Sequence, residues 1–355
     1  MLKIVKITDG SENFFTPLRF VFAFMVLVGH AFIVVGGSST FEPHIFYHYT
    51  SSAIAVNLFF IASGFLVTGS ILYRKNLQHY VSARVLRIYP GLIVHVLVLA
   101  FVFGPLTTTL PLAEYFTHPD TLKQPFIVLT FIETEMALPG ILPQNHEHMA
   151  SAALWTLRYE VLAYIGTLIA FMLGLLNRRW MLFAQFAVFA IAYTLLQYLG
   201  IYEHILPILR SILRFGICYG LGAAIYGYRE QLKFHIALIP VLFALAALMH
   251  NLVIFDIMVT LALGYALFWA AYVKIPALKF LQSMSDISYG LYIYHWAVLQ
   301  GLYMYMPSLN VWQLIALSTP IAISISALSW HYVEKPALAL KGKLMKPDRK
   351  LLNEH

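Results

Sequence analysis

The chain is short of charge. Of its 355 residues, 11% are Asp, Glu, Lys or Arg and 60% are hydrophobic, for a mean hydropathy of +0.76. A soluble domain carries about a quarter charged residues. An ordinary water-facing surface is therefore excluded, and lipid must face much of the molecule. Cysteine is nearly absent. The single Cys218 lies in an apolar run, which excludes a disulfide framework or a thiolate metal site within one chain. The opening MLKIVKITDGSENF lacks the apolar run and cleavage site of a signal peptide, so the first span is expected to stay attached. No internal repeat or low-complexity tract stands out. A net charge of +7 would suggest nucleic acid for a soluble protein, but here the basic residues sit in short clusters between apolar runs.

Those apolar runs are what the sequence does have. A span needs about 20 residues at about 1.5 Å each. That ruler marks ten candidates, near 14–35, 52–73, 88–110, 151–175, 180–199, 206–228, 234–251, 254–273, 288–306 and 312–333. Spans seven and eight meet at His250 and Asn251 and also read as one re-entrant unit. With the N-terminus inside, most basic residues fall inside: Lys3 and Lys6, Arg74 to Arg87, Arg178 and Arg179, Arg229 and Lys233, Lys274 and Lys279, and Lys335 to Lys350. Lys123 and Arg210 fall outside. The positive-inside rule then predicts an all-α integral membrane protein with about ten transmembrane helices and both termini cytoplasmic. The expected division is a cytoplasmic segment 1–13, a membrane domain 14–336, and a basic cytoplasmic tail 337–355 against anionic lipid. Residues 111–150 are expected as an outside loop that either caps a substrate entrance or simply connects. Its His146, Glu147 and His148 match no metal motif, so no metal is expected.

Ionisable groups inside spans cost roughly 2.5–3.5 kcal/mol for Arg at mid-helix, and so mark functional hypotheses. Arg19 and His30 share the first span. Eleven residues turn a helix through about 1100°, so the two lie on one face, about 16 Å apart. A buried imidazole can take a proton from a hydroxyl and return it to a leaving group; alternatively it is packed and hydrogen-bonded between helices. In the fourth span, Arg158 and Glu160 are two apart and point to different faces. Glu160 can orient the imidazole, bind a sugar hydroxyl, or form a structural ion pair, with Arg214 as its candidate partner. Arg84 and Arg87 share a face at the inner surface, ahead of Tyr89 and Pro90 at the entrance to the third span. They can hold phosphates bidentately or contact lipid headgroups. Gly64 and Gly69 permit close helix approach. Asn57 and Ser63 can hydrogen-bond across the bundle. Asp286 and Ser288 suit a helix start, and Pro336 is expected to end the last helix. His295 and Glu334 are further candidates for substrate contact.

Taken in order, these segments resemble the membrane-bound acyltransferase 3 family. The motifs are Arg19 and His30, the FF-x-x-SGF-like run Phe59–Phe65, the R-x-x-R-I-x-P run with Arg84, Arg87, Ile88 and Pro90, the Trp155–Glu160 segment, and ISYGLYIYHW from Ile287 to Trp296. The resemblance covers about 14–336. It implies an O-acyltransferase of the bacterial inner membrane that moves an acyl group, usually acetyl from acetyl-CoA, to a hydroxyl of a glycan or lipid-linked glycan. His30 is implied as the essential histidine, with Arg19 and Glu160 in support and Arg84 and Arg87 at the coenzyme A phosphates. Arg158, Arg214, His295 and Asn57 are carried as substrate-binding candidates. LWTLRYE replaces the serine-rich version common in relatives, which bears on acceptor choice. Two other classes stay open: a transporter or flippase that moves an unmodified glycan-related substrate, and a non-catalytic scaffold. Oligomeric state is left open.

Overall fold

The computed structural model describes residues 13–341 and the backbone of Leu2–Lys3. Residues 1, 4–12 and 342–355 lie outside the described residues, and with them most of the two expected terminal segments. β1 (Leu2–Lys3) precedes α1 (Phe15–Gly36). A hairpin of β2 (His44–Phe46) and β3 (Tyr49–Thr50) leads into α2 (Ser51–Arg74). α3 (Leu77–Val98) runs through a π-helical turn, Leu99–Phe103, into α4 (Gly104–Thr107). α5 (Leu112–Thr117) and α6 (Pro119–Leu129) occupy the long loop. After a tight turn at Ala152–Thr156 come α7 (Leu157–Met172), α8 (Arg179–Tyr198), α9 (Pro207–Tyr228), β4 (Lys233–Phe234), α10 (Leu238–Leu248) and α11 (Phe255–Tyr272). α12 (Ser288–Tyr305) and α13 (Val311–Ser329) follow. α13 passes through a second π-helical turn, Trp330–Glu334, into α14 (Lys335–Ala339). β1 pairs antiparallel with β4. The two short ladders aside, the described chain is all-α.

Seven of these helices are long and apolar enough to cross a bilayer: α1, α2, α3 with α4, α8, α9, α11, and α13 with α14. The protein is thus a multi-pass membrane protein. Every one of the ten expected spans coincides with a helix, but three fall short of that test for different reasons. α7 has 16 residues, its first turn being replaced by the tight turn at Ala152–Thr156. α10 has 11, about 16 Å of helix against a hydrocarbon core of about 30 Å. α12 is long enough, but tyrosines dilute its hydropathy. It is buried almost all round from Ser288 to Gln300, so it faces protein rather than lipid. The outer helices do the reverse. Phe183, Val188, Ile191 and Leu195 stand exposed along α8, an apolar stripe that only lipid can cover.

α2 is the other central helix, packed against α1, α3, α7, α9 and α11. Two glycines bring α2 and α9 backbone to backbone. A Cβ on Gly64 would lie 2.0 Å from the Tyr219 carbonyl oxygen, and one on Gly222 would lie 2.0 Å from that of Ile61. Close approach of this kind replaces the hydrophobic drive that lipid cannot supply.

Two local expectations are corrected. Pro90 lies inside α3 rather than at its entrance, since the helix begins at Leu77, about two turns ahead of Arg84. Pro336 does not end the last helix. It falls in the first turn of α14, just after the π-helical turn, where its missing N–H costs no ladder bond. Segment 111–150 carries helices of its own. α6 packs along α3, and the Tyr89 hydroxyl lies 3.4 Å from the Leu129 carbonyl, two residues past Arg87. The chain then runs back along the bundle, until the His146 ring lies against Gly37 at the C-terminal end of α1. Phe126 and Ile132 on this folded-back segment are turned to the surface.

Gly64→Ala and Gly222→Ala should each lower stability by about 1–3 kcal/mol, through overpacking against a backbone carbonyl. Gly166→Ala in α7 meets nothing within 4 Å and should be near neutral. Thermal unfolding in detergent separates the three.

Candidate active site

A cavity of about 350 Å³ opens at the end of the bundle where α3 begins and α14 ends. Its mouth is basic. Arg19, Arg84, Arg87 and Lys341 line it, against the carboxylates of Asp286 and Glu160. Tyr164 and Tyr289 line its middle, and Thr156 and Tyr292 its far end, where their hydroxyls share a 2.5 Å hydrogen bond. Arg19, Arg84, Arg87 and Glu160, named separately from the sequence, all line this one cavity.

The charges are not equally free. Asp286 accepts from Arg19 and from Arg87, each at 2.9 Å, and from the Ser288 hydroxyl at 2.6 Å. Arg87 also stands 3.6 Å from the buried Glu334. Burial pushes the Asp286 carboxyl up, but Arg19 and Arg87 together outweigh it and hold it well below the usual carboxylate range. Arg84 differs. It lies over the rings of Tyr80 and Tyr164 at 5.8 and 5.4 Å, with no carboxylate bonded to it among the described residues. Lys341 also lines the mouth. Arg84 and Lys341 are thus the cations least committed to protein partners.

His30 and His295 lie beyond the Tyr292 end, and neither lines the cavity. Their rings stack at 5.0 Å, and Nδ1 of His30 is 2.8 Å from Nε2 of His295. Nδ1 of His295 is 3.0 Å from the Leu291 carbonyl, which can only accept. With both rings neutral, the tautomers follow. His295 donates from Nδ1 to Leu291, so its Nε2 accepts from Nδ1–H of His30. The lone pair of His30 is left on Nε2, which has no hydrogen-bond partner among the described residues. His30 keeps 9% exposure while His295 has none, so the pair opens on the His30 side. Trp296 meets the His30 ring edge to face at 5.0 Å and donates its indole N–H to the Met149 carbonyl at 2.7 Å. The end of the 111–150 segment is thereby pinned beside the pair.

Other expected site residues go elsewhere. Glu160 does not reach His30; His295 takes that place, and Glu160 accepts a hydrogen bond from Tyr164. Arg214 does not pair with Glu160. It donates to Asn57 at 3.0 Å and to the Ala53 carbonyl at 3.2 Å, so Arg214 and Asn57 hold α9 on α2 outside the cavity. Arg158 donates to Thr134 at 3.0 Å and ties α7 to the 111–150 segment. Asp286 was legible only as a helix cap. Its sequence signal was an acid just ahead of a span, two residues before Ser288. Among the described residues no cluster of three or more His, Cys, Asp or Glu could hold a metal ion.

Asp286→Asn should leave Arg19 and Arg87 facing each other without a counter-charge. With one fifth of the carboxylate exposed, the expected loss is about 2–4 kcal/mol. The depressed carboxyl sets the sign of the pH effect. The pair's contribution is present above the ordinary carboxylate range and is lost as pH falls below it. Unfolding of wild type and Asp286→Asn should therefore differ at neutral pH and converge in strong acid.

The chain matches the family described as "Acyltransferase domain" over residues 13–331. It is 26% identical over 336 residues to an "O-acetyl transferase" of Shigella phage Sf6, covering 91% of this chain and 95% of that one. It is also 26% identical over 362 residues to "Nodulation protein 10" of Rhizobium leguminosarum bv. viciae, covering 95% and 96%. No solved structure matches it. A family match across most of the chain removes the transporter and scaffold alternatives. The chain belongs to the membrane-bound acyltransferase 3 family and is a multi-pass membrane O-acyltransferase.

Proposed function

We propose that this enzyme moves an acetyl group from acetyl-CoA to a hydroxyl of a glycan or lipid-linked glycan in the bacterial inner membrane, with His30 as the reacting base or acyl relay. The observation that carries the reading is the His30–His295 pair beyond the far end of a basic cavity. The phage relative is named an O-acetyl transferase, which supports acetyl as the group moved. Ten spans with both termini cytoplasmic put the cavity mouth inside. Pairing of β1 with β4, beside Arg229 and Lys233, supports that side for the N-terminus.

The donor's phosphates meet Arg84 and Lys341, the least committed cations at the mouth. Arg87 and Arg19 hold the walls through Asp286 and act on the phosphates at second hand. The thin pantetheine arm runs between Tyr164 and Tyr289 toward Thr156 and Tyr292. Nε2 of His30 takes the acceptor proton, or attacks the thioester carbon itself. His295 fixes the reactive tautomer and accepts the Nδ1 proton as charge develops on His30. Nothing in this scheme routes through a metal.

Labelled acetyl-CoA with the purified protein in lipid tests the reading. Wild type should release CoA, and His30→Ala should lose at least about 100-fold while still binding the donor. His295→Ala should lose about tenfold or more in kcat with little change in KM. Arg84→Gln should instead raise KM for acetyl-CoA about tenfold, a loss of about 1.4 kcal/mol. Wild-type turnover in folded His30→Ala would overturn the assignment.

A further inference from the structure

The scheme above gives His30 the task of a base and leaves the thioester oxygen without a donor. Acyl transfer needs one, because the carbonyl oxygen becomes an oxyanion when the nucleophile adds. The far end of the cavity holds two hydroxyls with no task so far. Thr156 and Tyr292 both line it, both are buried, and their oxygens share one hydrogen bond at 2.5 Å. Neither hydroxyl has another hydrogen-bond partner among the described residues. Two hydroxyls carry two protons, and one bond uses one of them. Whichever group donates, the other keeps an O–H with no protein acceptor. A spare buried donor calls for an explanation. Thr156 adds to the case. It is the N-cap of α7, where a threonine ordinarily accepts from the first amides of the helix, yet it makes no such bond. Its hydroxyl is turned to Tyr292 instead. The Tyr292 ring is held in its turn, edge to face with Phe59 at 5.9 Å and with His295 at 6.1 Å. Tyr292 precedes His295 by three residues on α12, about 4.5 Å of helix, on a neighbouring face.

We infer that the Tyr292 hydroxyl, oriented by Thr156, is the hydrogen-bond donor that stabilises the oxyanion formed during acyl transfer. The inference rests on the acyl-transfer reading above, which brings the thioester to Tyr292. Thr156 donates to the Tyr292 oxygen, and the phenol proton is left for the substrate. That order is the favourable one. A phenol is more acidic than an alcohol, hence the better donor, and accepting from Thr156 polarises it further. The acceptor oxygen, its proton taken by Nε2 of His30, adds to the carbonyl carbon. The C=O π pair moves to the carbonyl oxygen, and Tyr292 donates to that oxygen while keeping its proton. When the pair returns, the C–S bond breaks and His30 gives its proton to the departing sulfur, one bond from the carbon it faces. The same donor serves if His30 is itself acylated, since each of the two steps then passes through such an oxyanion.

The test is kcat and KM for CoA release from acetyl-CoA in proteoliposomes, with water as acyl acceptor. Tyr292→Phe deletes one hydroxyl and keeps the ring packing. Its kcat should fall about 100-fold with KM little changed, the signature of an interaction made only in the transition state. Thr156→Val leaves the phenol in place, so loss of orientation alone should lower kcat about tenfold or less. Site-specific meta-fluorotyrosine in place of Tyr292, a more acidic phenol of nearly the same shape, should hold kcat at or above wild type. Wild-type kcat in folded Tyr292→Phe would overturn the assignment. So would a loss in Thr156→Val as large as that in Tyr292→Phe. Should Tyr292→Phe not fold, the fluorotyrosine variant decides, and a kcat well below wild type in folded protein would equally overturn the role. A silent wild type would instead sink the acyl-transfer reading, and the donor role with it.

Discussion

Asp286 lies 2.9 Å from both Arg19 and Arg87, and that three-way contact joins α1, α3 and the approach to α12 at one point. A lone guanidinium at this depth would be costly. Two of them around one carboxylate, with Glu334 behind, become a fixed wall. The consequences run outward along each helix. α1 is set so that His30, eleven residues on, meets α12. α12 is set so that His295 receives it. α3 is set with Arg84 free at the mouth and His95 buried beside Tyr294. The cavity is the space these helices leave between them.

The histidine pair then inherits its chemistry from the backbone. The Leu291 carbonyl can only accept, so it decides the tautomer of His295, and His295 decides that of His30. Two neutral rings thus become directional, with the lone pair at the more open end. Trp296 and Met149 hold the end of the 111–150 segment beside the pair. The lipid-facing helices contribute little to this directly. α8 shows apolar side chains to the membrane and serves to enclose α9, which in turn closes on α2 through Gly64 and Gly222.

Much of this was legible in the sequence, for identifiable reasons. Hydropathy and charge alternation located each main helix because lipid allows few alternatives. Arg19, His30, Arg84 and Arg87 stood out because ionisable groups are rare inside spans. Pairing was less legible. Glu160 and Arg214 suggested each other by charge and depth alone, but Arg214 found Asn57 and a carbonyl, since rotation about each helix axis is set by packing. Asp286 looked like a cap because a helix start and an ion-pair hub call for the same residue type. The folding of 111–150 back along α3 was hidden because its helices are short and mixed in polarity. Pro336 was misread because a π-helical turn before it removes the penalty that usually stops a helix. His95, an imidazole inside the third span, carried the same signal as the other intramembrane ionisable groups, and only the structure shows both its nitrogens unpartnered.

The account stands or falls on whether one thioester can span from the arginines to the histidines. The most direct measurement is a structure with a non-hydrolysable acetyl-CoA analogue bound. The account predicts phosphates at Arg84 and Lys341, the pantetheine arm between Tyr164 and Tyr289, and the acyl carbon at Tyr292, facing Nε2 of His30. An analogue seated elsewhere, or one whose acyl end points away from His30, would contradict it.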